Sequence, residues 1–410
     1  GLGDVYKRQV KKIVVVRRLG KKISGKKYLD FGKEMKKAKS YCEPVLVNSE
    51  DIMFILYTSG TTGKPKGIIH DTGGYAVQAY WTCKWNFNLK EDDIMWCTAD
   101  IGWITGHTYA FYGPLLNCST TLIYEGSPDY PNPSRWWEII DKNKVSVFYT
   151  APTAIRMFMK FGEKWLKKYK LNSLKILGTV GEPIDEEAWE WYFKKIGKSN
   201  CPIIDTWWQT ETGGTLINAL PGVGPFVPTV AGKSFPGTKH IVVDEEGNPL
   251  SEGKTGNLVQ LSPFAPGMLH GVYKNHKKYV DTYWKRFKKY YDTSDGAYIK
   301  EGLIRVTGRT DDVMKVAGHR LATAELENAI NEHKLVNETA VVPIPDKIKG
   351  EVPVAFVVLE KSTQIKNLEK ERSNKRAALS GFSTNKRSHA PLICCLLYTS
   401  PSPRDLSTSR

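Results

Sequence analysis

The stretch LYTSGTTGKPKG, Leu56 to Gly67, gathers four Ser/Thr hydroxyls (Thr58, Ser59, Thr61, Thr62), three glycines (Gly60, Gly63, Gly67) and two lysines (Lys64, Lys66). A Gly-rich turn exposes backbone N–H groups, and lysine charge beside them suits a phosphate guest. The loop is not of the Walker type, which reads G-x-x-x-x-G-K-[ST] and runs straight into a helix. Here Pro65 follows Lys64 and disfavours helical geometry at that lysine. The preceding DIMFILYT reads as a buried strand, so the loop leaves a strand and is able to close over a triphosphate. With such a guest, Lys64 and Lys66 would stabilise charge on a departing pyrophosphate. The competing reading is a surface turn of small residues.

Three further loops have chemical character. ILGTVGEPID, Ile176 to Asp185, leaves a strand through Gly178 and Gly181 and places Glu182 and Pro183 in a turn that can offer backbone groups to a flat base. IIDTWWQTETGG, Ile203 to Gly214, passes Asp205, Thr206, Trp207, Trp208 and Gln209 and ends on Thr210, Glu211 and two glycines. Thr210 and Glu211 supply the oxygen ligands that Mg2+ shares with phosphates. DTSDGAYI puts Asp295 before a glycine, and VTGRTDDVMKVAGHRL adds Arg309, Asp311 and Arg320. A carboxylate can accept both ribose hydroxyls, and arginine suits a phosphate. Each loop taken singly also reads as an ordinary turn, Asp311 as a turn residue and Arg320 as a solvated charge.

The elements that must position these loops alternate between strand and helix. Strands are expected near 52–57, 120–124, 145–149, 174–178 and 202–207, with PSRWWEIIDKN and EEAWEWYFKKIG as helices between them. In the second helix Trp189, Tyr192, Phe193 and Ile196 recur at helical spacing. Such alternation predicts an α/β fold of parallel strands with flanking helices, which binds ligands beyond the carboxyl ends of its strands. After Gly213 the texture changes to short strands and Gly/Pro turns, as in a β-rich subdomain. No internal repeat is visible. Residues 10–50 are Lys-rich with one clear strand, KIVVV.

The chain of 410 residues, 41% hydrophobic, is long enough for a large domain and a smaller one. Its seven cysteines show no C-x-x-C pairing, which points to a reducing compartment without zinc or a disulfide framework. No apolar run reaches bilayer length and no signal peptide opens the chain, so the cytoplasm is the expected location and no membrane partner is expected. The net charge of +16 sits at the ends: residues 1–39 hold 14 basic against 3 acidic side chains, residues 361–410 hold 10 against 3, and residues 40–360 are left at −2. A near-neutral body with basic ends is not a nucleic-acid footprint.

GDVYKRQ, Gly3 to Gln9, and CLLYTSP, Cys395 to Pro401, can be translated from one short DNA element read on opposite strands, and that element resembles a sequencing adaptor. Residues 1–9 and 395–410 are therefore set aside from the fold, and Glu371 to Cys394, which shows neither helical nor strand periodicity, is expected to be a frameshifted or disordered tail.

YTSGTTGKPKG, ADIGWITGHTY, YTAPTAIR, GEP, DTWWQTETGG, GRTDDV and GHRLATAELE occur in this order. Together they resemble the acyl-adenylate-forming superfamily and, within it, the acetyl-CoA synthetase family, over about Val10 to Glu371. The resemblance implies a large adenylate-forming domain at 10–308, parallel sheets with flanking helices plus a β-rich subdomain. It implies a hinge at 309–311, an incomplete α+β C-terminal domain at 312–371, and a tail at 372–410. It implies a two-step ligase: acetate and ATP, with Mg2+, give acetyl-AMP and pyrophosphate, and CoA then takes the acetyl group. The alternatives are propionate or 3-hydroxypropionate as the acid, or a nucleotide-binding fragment that adenylates nothing.

Position by position, the resemblance assigns Thr58 to Gly63 with Lys64 and Lys66 to the phosphates. It assigns Gly181, Glu182 and Pro183 with Asp205 to Thr210 to the adenylate, and Asp295, Arg309 and Arg320 to ribose and phosphate. Glu211 falls to Mg2+, and Asp311 to the hinge. Thr105, Asp129 and Ala317 fall at CoA-contacting positions, the last two with residues unlike the family's asparagine and serine. Trp103, Ile104, Thr105, Val180 and Trp208 would line the acyl pocket, Trp208 filling the space a longer acid needs; as a plain aromatic it also reads as core. Asn331, His333 and Val336 fall at a second metal site, where the last carbonyls of a helix are unpaired. The family's adenylating lysine lies in an S-G-K segment near the C-terminus, whereas the only SGK here is Ser24 to Lys26, so this chain by itself is expected to be impaired in adenylation; the family's basic CoA-phosphate site would lie before Val10.

Overall fold

The computed structural model describes residues 10–22, 24–58 and 65–310, and beyond these 313–316, 319–322, 326–327, 330, 336–346, 350–359 and 393–397. The chain divides into two compact units, one ending at Asn48 and one beginning at Ser49. In the first, Ile13–Val15 pairs in parallel with Tyr28–Asp30. Asp30 then caps the helix Phe31–Lys37 by accepting the Lys33 N–H at 2.9 Å, and it also pairs with Arg17.

The second unit is built on a seven-stranded sheet in the order Lys233–Ser234, Ile217–Asn218, Ile203–Trp207, Ile176–Thr179, Val147–Thr150, Ile94–Cys97, Thr120–Thr121. The last five strands run parallel, as the alternation of elements predicts; the first two are antiparallel additions at one edge. Both faces are covered, which is why the strands read as continuous apolar runs. Trp96, Phe148, Leu177 and Ile203 face a core with Trp136, Trp137, Phe158, Trp189 and Tyr192. Their neighbours Met95, Val147, Ile176 and Ile204 face the opposite core with Cys83, Phe87, Tyr109 and Tyr149. This two-residue period places the helices Arg135–Asn143, Pro152–Phe161 and Glu186–Trp191 on one side and Gly73–Asn86 on the other. Three of the four expected helical positions, Trp189, Tyr192 and Ile196, are buried as their spacing predicts, and Phe193 stacks on Trp189.

Two expectations need revision. Ile94–Cys97, the sheet strand next to the edge strand Thr120–Thr121, had no place in the sequence reading. Ile52–Thr58 is not part of the parallel sheet: it forms an antiparallel hairpin with Lys66–Asp71, Thr58 facing Lys66, and Gly271–Val272 completes a three-stranded sheet. Ile52 and Tyr57 are exposed, so this strand is half-covered rather than buried. A short apolar run does not reveal whether one face or two will be covered.

The β-rich texture after Gly213 corresponds to an antiparallel four-stranded sheet, Lys239–Val243, Gly256–Leu261, Tyr291–Lys300 and Leu303–Arg309. A five-stranded sheet follows, with the order His319–Ala322, Val313–Val316, Gly350–Leu359, Val336–Asp346, and Ile393–Leu397 paired in parallel with Gly350–Leu359. Part of the stretch set aside as a tail thus contributes a strand. Among the described residues, no helix is long and apolar enough to cross a membrane.

Candidate active site

The parallel strands end together, and the loops that follow them enclose a cleft of about 770 Å³. Trp103 and Ile104 enter from beyond Ile94–Cys97, Gly181 to Pro183 from beyond Ile176–Thr179, and Trp208 to Glu211 from beyond Ile203–Trp207. The hairpin adds Thr58 and Lys66, and the antiparallel sheet adds Asp295 and Arg309. Loops scattered over some 250 residues of sequence therefore meet at the carboxyl edge of one sheet, where such sheets bind ligands.

At one end, Lys66 Nζ lies 3.4 Å from Glu211 Oε1 and donates to the Tyr283 hydroxyl at 3.0 Å; that hydroxyl donates to Glu211 Oε1 at 2.6 Å. Both members of the ion pair are largely buried. The Lys66 ammonium also stands over the Tyr283 ring, which stacks on Tyr291. Glu211 is presented by a single 3-10 turn, Thr210–Thr212, closed by Gly213 at φ +69°. A Cβ at Gly213 would fall 2.3 Å from the Gly267 carbonyl oxygen, so only glycine fits. Beneath the turn, the buried His70 imidazole lies 2.8 Å from the Thr210 carbonyl oxygen and 3.1 Å from that of Gly267; burial lowers its pKa, against the pull of these carbonyls. The Thr58 hydroxyl is buried with no hydrogen-bond partner among the described residues, an orphaned donor where the Gly-rich loop departs.

In the middle, Asp295 and Arg309 face each other across two antiparallel strands. The buried Asp295 carboxylate accepts from Gln209 Nε2 at 2.7 Å and Trp207 Nε1 at 3.2 Å, with Arg309 Nε at 4.0 Å. Gln209 is oriented by Tyr291, whose hydroxyl donates to its Oε1 at 3.1 Å. Burial raises the Asp295 pKa to about 7 despite the Arg309 charge and these donors. Asp205 is raised to about 6 by burial, opposed by the Thr179 hydroxyl that donates to it at 2.8 Å.

At the other end, Glu182 is turned toward the YTAPTAIR segment rather than into the cleft. Arg156 donates to Glu182 at 2.7 Å and to Asp185 at 3.0 Å, while the Thr153 N–H donates to the other Glu182 oxygen at 2.8 Å. With its side chain held there and Gly181 at φ +98°, the turn offers backbone to the cleft. Trp208 forms the floor: its Nε1 donates to the Tyr149 hydroxyl at 3.3 Å, and its ring meets Tyr109 edge-on at 5.1 Å. Ile104 is buried beside this floor and Trp103 is exposed at the rim.

The cleft thus unites Thr58, Lys66, Trp103, Ile104, Gly181 to Pro183, Asp205 to Glu211, Asp295 and Arg309. Thr105 and Val180 lie beside it without lining it, Val180 packed against the core under Trp208. Asp129 is exposed in another loop and accepts from the Ser127 hydroxyl. Val336 is buried in a strand and its carbonyl accepts from Lys160 at 3.4 Å. Ser59 to Lys64, Asp311, Ala317, Asn331 and His333 lie outside the described residues, as does the side chain of Arg320. The sequence reading missed His70, Thr153, Arg156, Tyr283 and Tyr291. Of these, Thr153 and Arg156 fall within the YTAPTAIR motif.

Residues 4–272 match the AMP-binding enzyme family and residues 325–379 match the AMP-binding enzyme C-terminal domain. The chain belongs to the AMP-binding enzyme family. It is similar to the acetyl-coenzyme A synthetase of Pyrobaculum aerophilum, 55% identical over 324 residues that make up 78% of this chain and 48% of that protein. It is also similar to the acetyl-coenzyme A synthetase of Allorhizobium ampelinum, 49% identical over 85% of this chain and 54% of the relative. The chain spans about half the length of the curated relatives it matches. Among solved structures, the anthranilate CoA ligase AuaEII in complex with anthranoyl-AMP superposes with a TM-score of 0.76 at 24% identity, covering 96% of this chain and 70% of that one. That likeness establishes an adenylate-forming fold for this member of the AMP-binding enzyme family.

Proposed function

We propose that the chain carries the adenylating site of an AMP-forming acetate–CoA ligase. The observation that carries this reading is the Trp208 floor: an indole fixed by Tyr149 and Tyr109 leaves little room for an acid beyond the adenylate site. The acetyl-coenzyme A synthetase relatives support it.

In this reading an acetate oxygen attacks the α-phosphorus of ATP, the bond to the β-phosphate oxygen breaks, and pyrophosphate leaves with the electron pair. The CoA sulfur, as thiolate, then attacks the acetyl carbonyl and AMP leaves. The Gly181 to Pro183 backbone lies against the base and Asp295 accepts from the ribose hydroxyls. Lys66, with Lys64 and the Thr58 hydroxyl, meets the β- and γ-phosphates. Thr210 and Glu211 form an oxygen donor set of the kind Mg2+ takes; bound there, the ion would neutralise phosphate charge. The boundaries at 309–311 and 312–371, the CoA positions Thr105, Asp129 and Ala317, and a second metal position at Asn331, His333 and Val336 belong to this proposal. So do acetate, ATP and CoA as the partners and the cytoplasm as the compartment.

The test is AMP formation from ATP with acetate, propionate, 3-hydroxypropionate and butyrate in turn, in a full-length protein that joins these residues to a C-terminal S-G-K lysine. Acetate is expected to give the highest kcat/KM, each added methylene costing about 10- to 200-fold. A longer acid preferred over acetate overturns the pocket, and ATP binding without any acid-dependent turnover overturns the ligase.

A further inference from the structure

Residues 274–289, KNHKKYVDTYWKRFKK, hold seven lysine and arginine side chains against the single acid Asp281, within a body of residues 40–360 whose net charge is −2. Nothing in the adenylation chemistry above uses them. Their placement is specific. Asn275 caps the helix His276–Tyr283 by accepting the Lys278 N–H at 3.0 Å, and Tyr283 at the far end of that helix holds Lys66. Before the helix, the Tyr273 N–H donates to the Gly67 carbonyl at 2.8 Å. The basic segment is thus tied at both ends to the hairpin that carries the phosphate loop. An eight-residue helix is about 12 Å long, so its charges lie within a few turns of Lys66.

The aromatic residues interleaved with these charges are consumed by the fold. Tyr279 and Trp284 pack against the cluster of Ile68, Leu216, Met268 and Tyr291, and Phe287 packs with Val243 and Val259. They are not a stacking platform for bases, which argues against a nucleic-acid surface. Lys285 pairs with Asp281, and Arg286 with Glu245 and Asp292. Lys274, Lys277, Lys288 and Lys289 are exposed, and among the described residues no carboxylate lies within ion-pair distance of them. Four exposed lysines on a segment that Tyr273 and Tyr283 tie to the Lys66 hairpin create a positive field that falls off over about 8–10 Å at moderate salt.

We propose that this segment is an electrostatic funnel that steers the polyanionic substrate ATP into the cleft. The proposal rests on the assignment of the cleft to ATP. The field acts on the encounter and not on the bound state, so it sets the association rate and leaves dissociation unchanged.

The experiment is stopped-flow tryptophan fluorescence with ATP, comparing the wild-type chain with the quadruple variant Lys274→Gln/Lys277→Gln/Lys288→Gln/Lys289→Gln, and with uncharged adenosine as the control ligand. The expected result is an association rate for ATP that falls about 3- to 10-fold at low ionic strength. That difference should vanish at about 0.5 M salt, with the dissociation rate and the adenosine rates unchanged. An unchanged ATP association rate overturns the funnel and leaves the ATP site standing; no ATP binding by the wild-type chain overturns the site itself. Equal loss for adenosine would assign the lysines a structural role. Salt-resistant binding of an oligonucleotide, lost in the variant while ATP association is kept, would make the surface a nucleic-acid site.

Discussion

Lys66 and Glu211, 145 positions apart in sequence, meet at 3.4 Å inside the cleft, and the Tyr283 hydroxyl is bonded to both. A buried ion pair of this kind contributes little net stability, but removing one partner leaves the other charge uncompensated. Its value lies in position: the ammonium is held two residues after the Gly-rich loop and the carboxylate beside Thr210.

In the full-length protein, Lys66→Met is therefore expected to slow acetate-dependent ATP–pyrophosphate exchange by about two orders of magnitude, the usual cost of one preorganised charge contact. Thioester formation from preformed acetyl-adenylate should stay nearly intact. Tyr283→Phe should give a smaller loss in the same half-reaction. Single-turnover measurement of the two half-reactions checks this, and equal losses in both would count against the division of labour.

Asp295 gives the cleft a pH dependence. Its folded-state pKa, raised to about 7 by burial, lies above the ordinary aspartate value near 4. The protonated folded state is therefore favoured: the stabilising contribution is complete below about pH 4 and is lost as pH rises through about 7. Binding has the opposite slope, because only the carboxylate accepts both ribose hydroxyls. AMP affinity should rise between pH 6 and 8 in the wild type and stay low and flat in Asp295→Asn, while the variant's denaturation midpoint gains on the wild type between about pH 4 and 7. Calorimetric titration and urea melts at each pH decide the matter. Asp205, raised to about 6, adds a separate step that the Asp295→Asn variant retains.

Trp208→Gly should open the floor of the cleft. The kcat/KM ratio of valerate to acetate is expected to rise by at least about 100-fold, since each methylene newly accommodated is worth about 1–3 kcal/mol. An unchanged ratio would remove Trp208 from the acyl pocket and return it to the core.

Arg156 does not line the cleft, yet it pins Glu182 and Asp185. In Arg156→Met the Gly181 to Pro183 turn should lose its fixed orientation. ATP KM is expected to rise about tenfold, the scale of a half-exposed charge-assisted hydrogen bond pair, with acetate KM unchanged and partial recovery in Arg156→Lys. A uniform fall in kcat with both KM values intact would refute this positioning role.

The chemistry was most legible where the chain leaves a strand. The GEP turn has a glycine beside a polar residue after an apolar run, the DTWWQT segment has polar side chains after one, and Asp295, inside the strand Tyr291–Lys300, is marked only by the glycine that follows it; all three lie in the cleft. The supporting groups have no such signs. Tyr283 and Tyr291 look like any aromatic in a helix or strand, and their relation to Glu211 and Gln209 exists only after the antiparallel sheet has folded onto the parallel one. Ile94–Cys97 escaped notice because its run I-M-W-C holds a single β-branched residue, whereas the equally short Val147–Thr150 and Ile176–Thr179 hold two each. The phosphate loop was expected after a parallel strand, since a strand followed by a Gly-rich loop reads the same whether the next element is a helix or a returning strand; Pro65 marks the loop but not the hairpin that follows it.

The most direct measurement of the central claim is calorimetric titration of the chain with non-hydrolysable alkyl-adenylate esters carrying ethyl, propyl and pentyl groups in place of the acyl chain. If the cleft is an adenylate site closed by Trp208, the ethyl ester binds tightest, affinity falls at each added methylene, and Asp295→Asn weakens all three alike. Binding that strengthens with chain length, or that is indifferent to Asp295→Asn, would contradict the account.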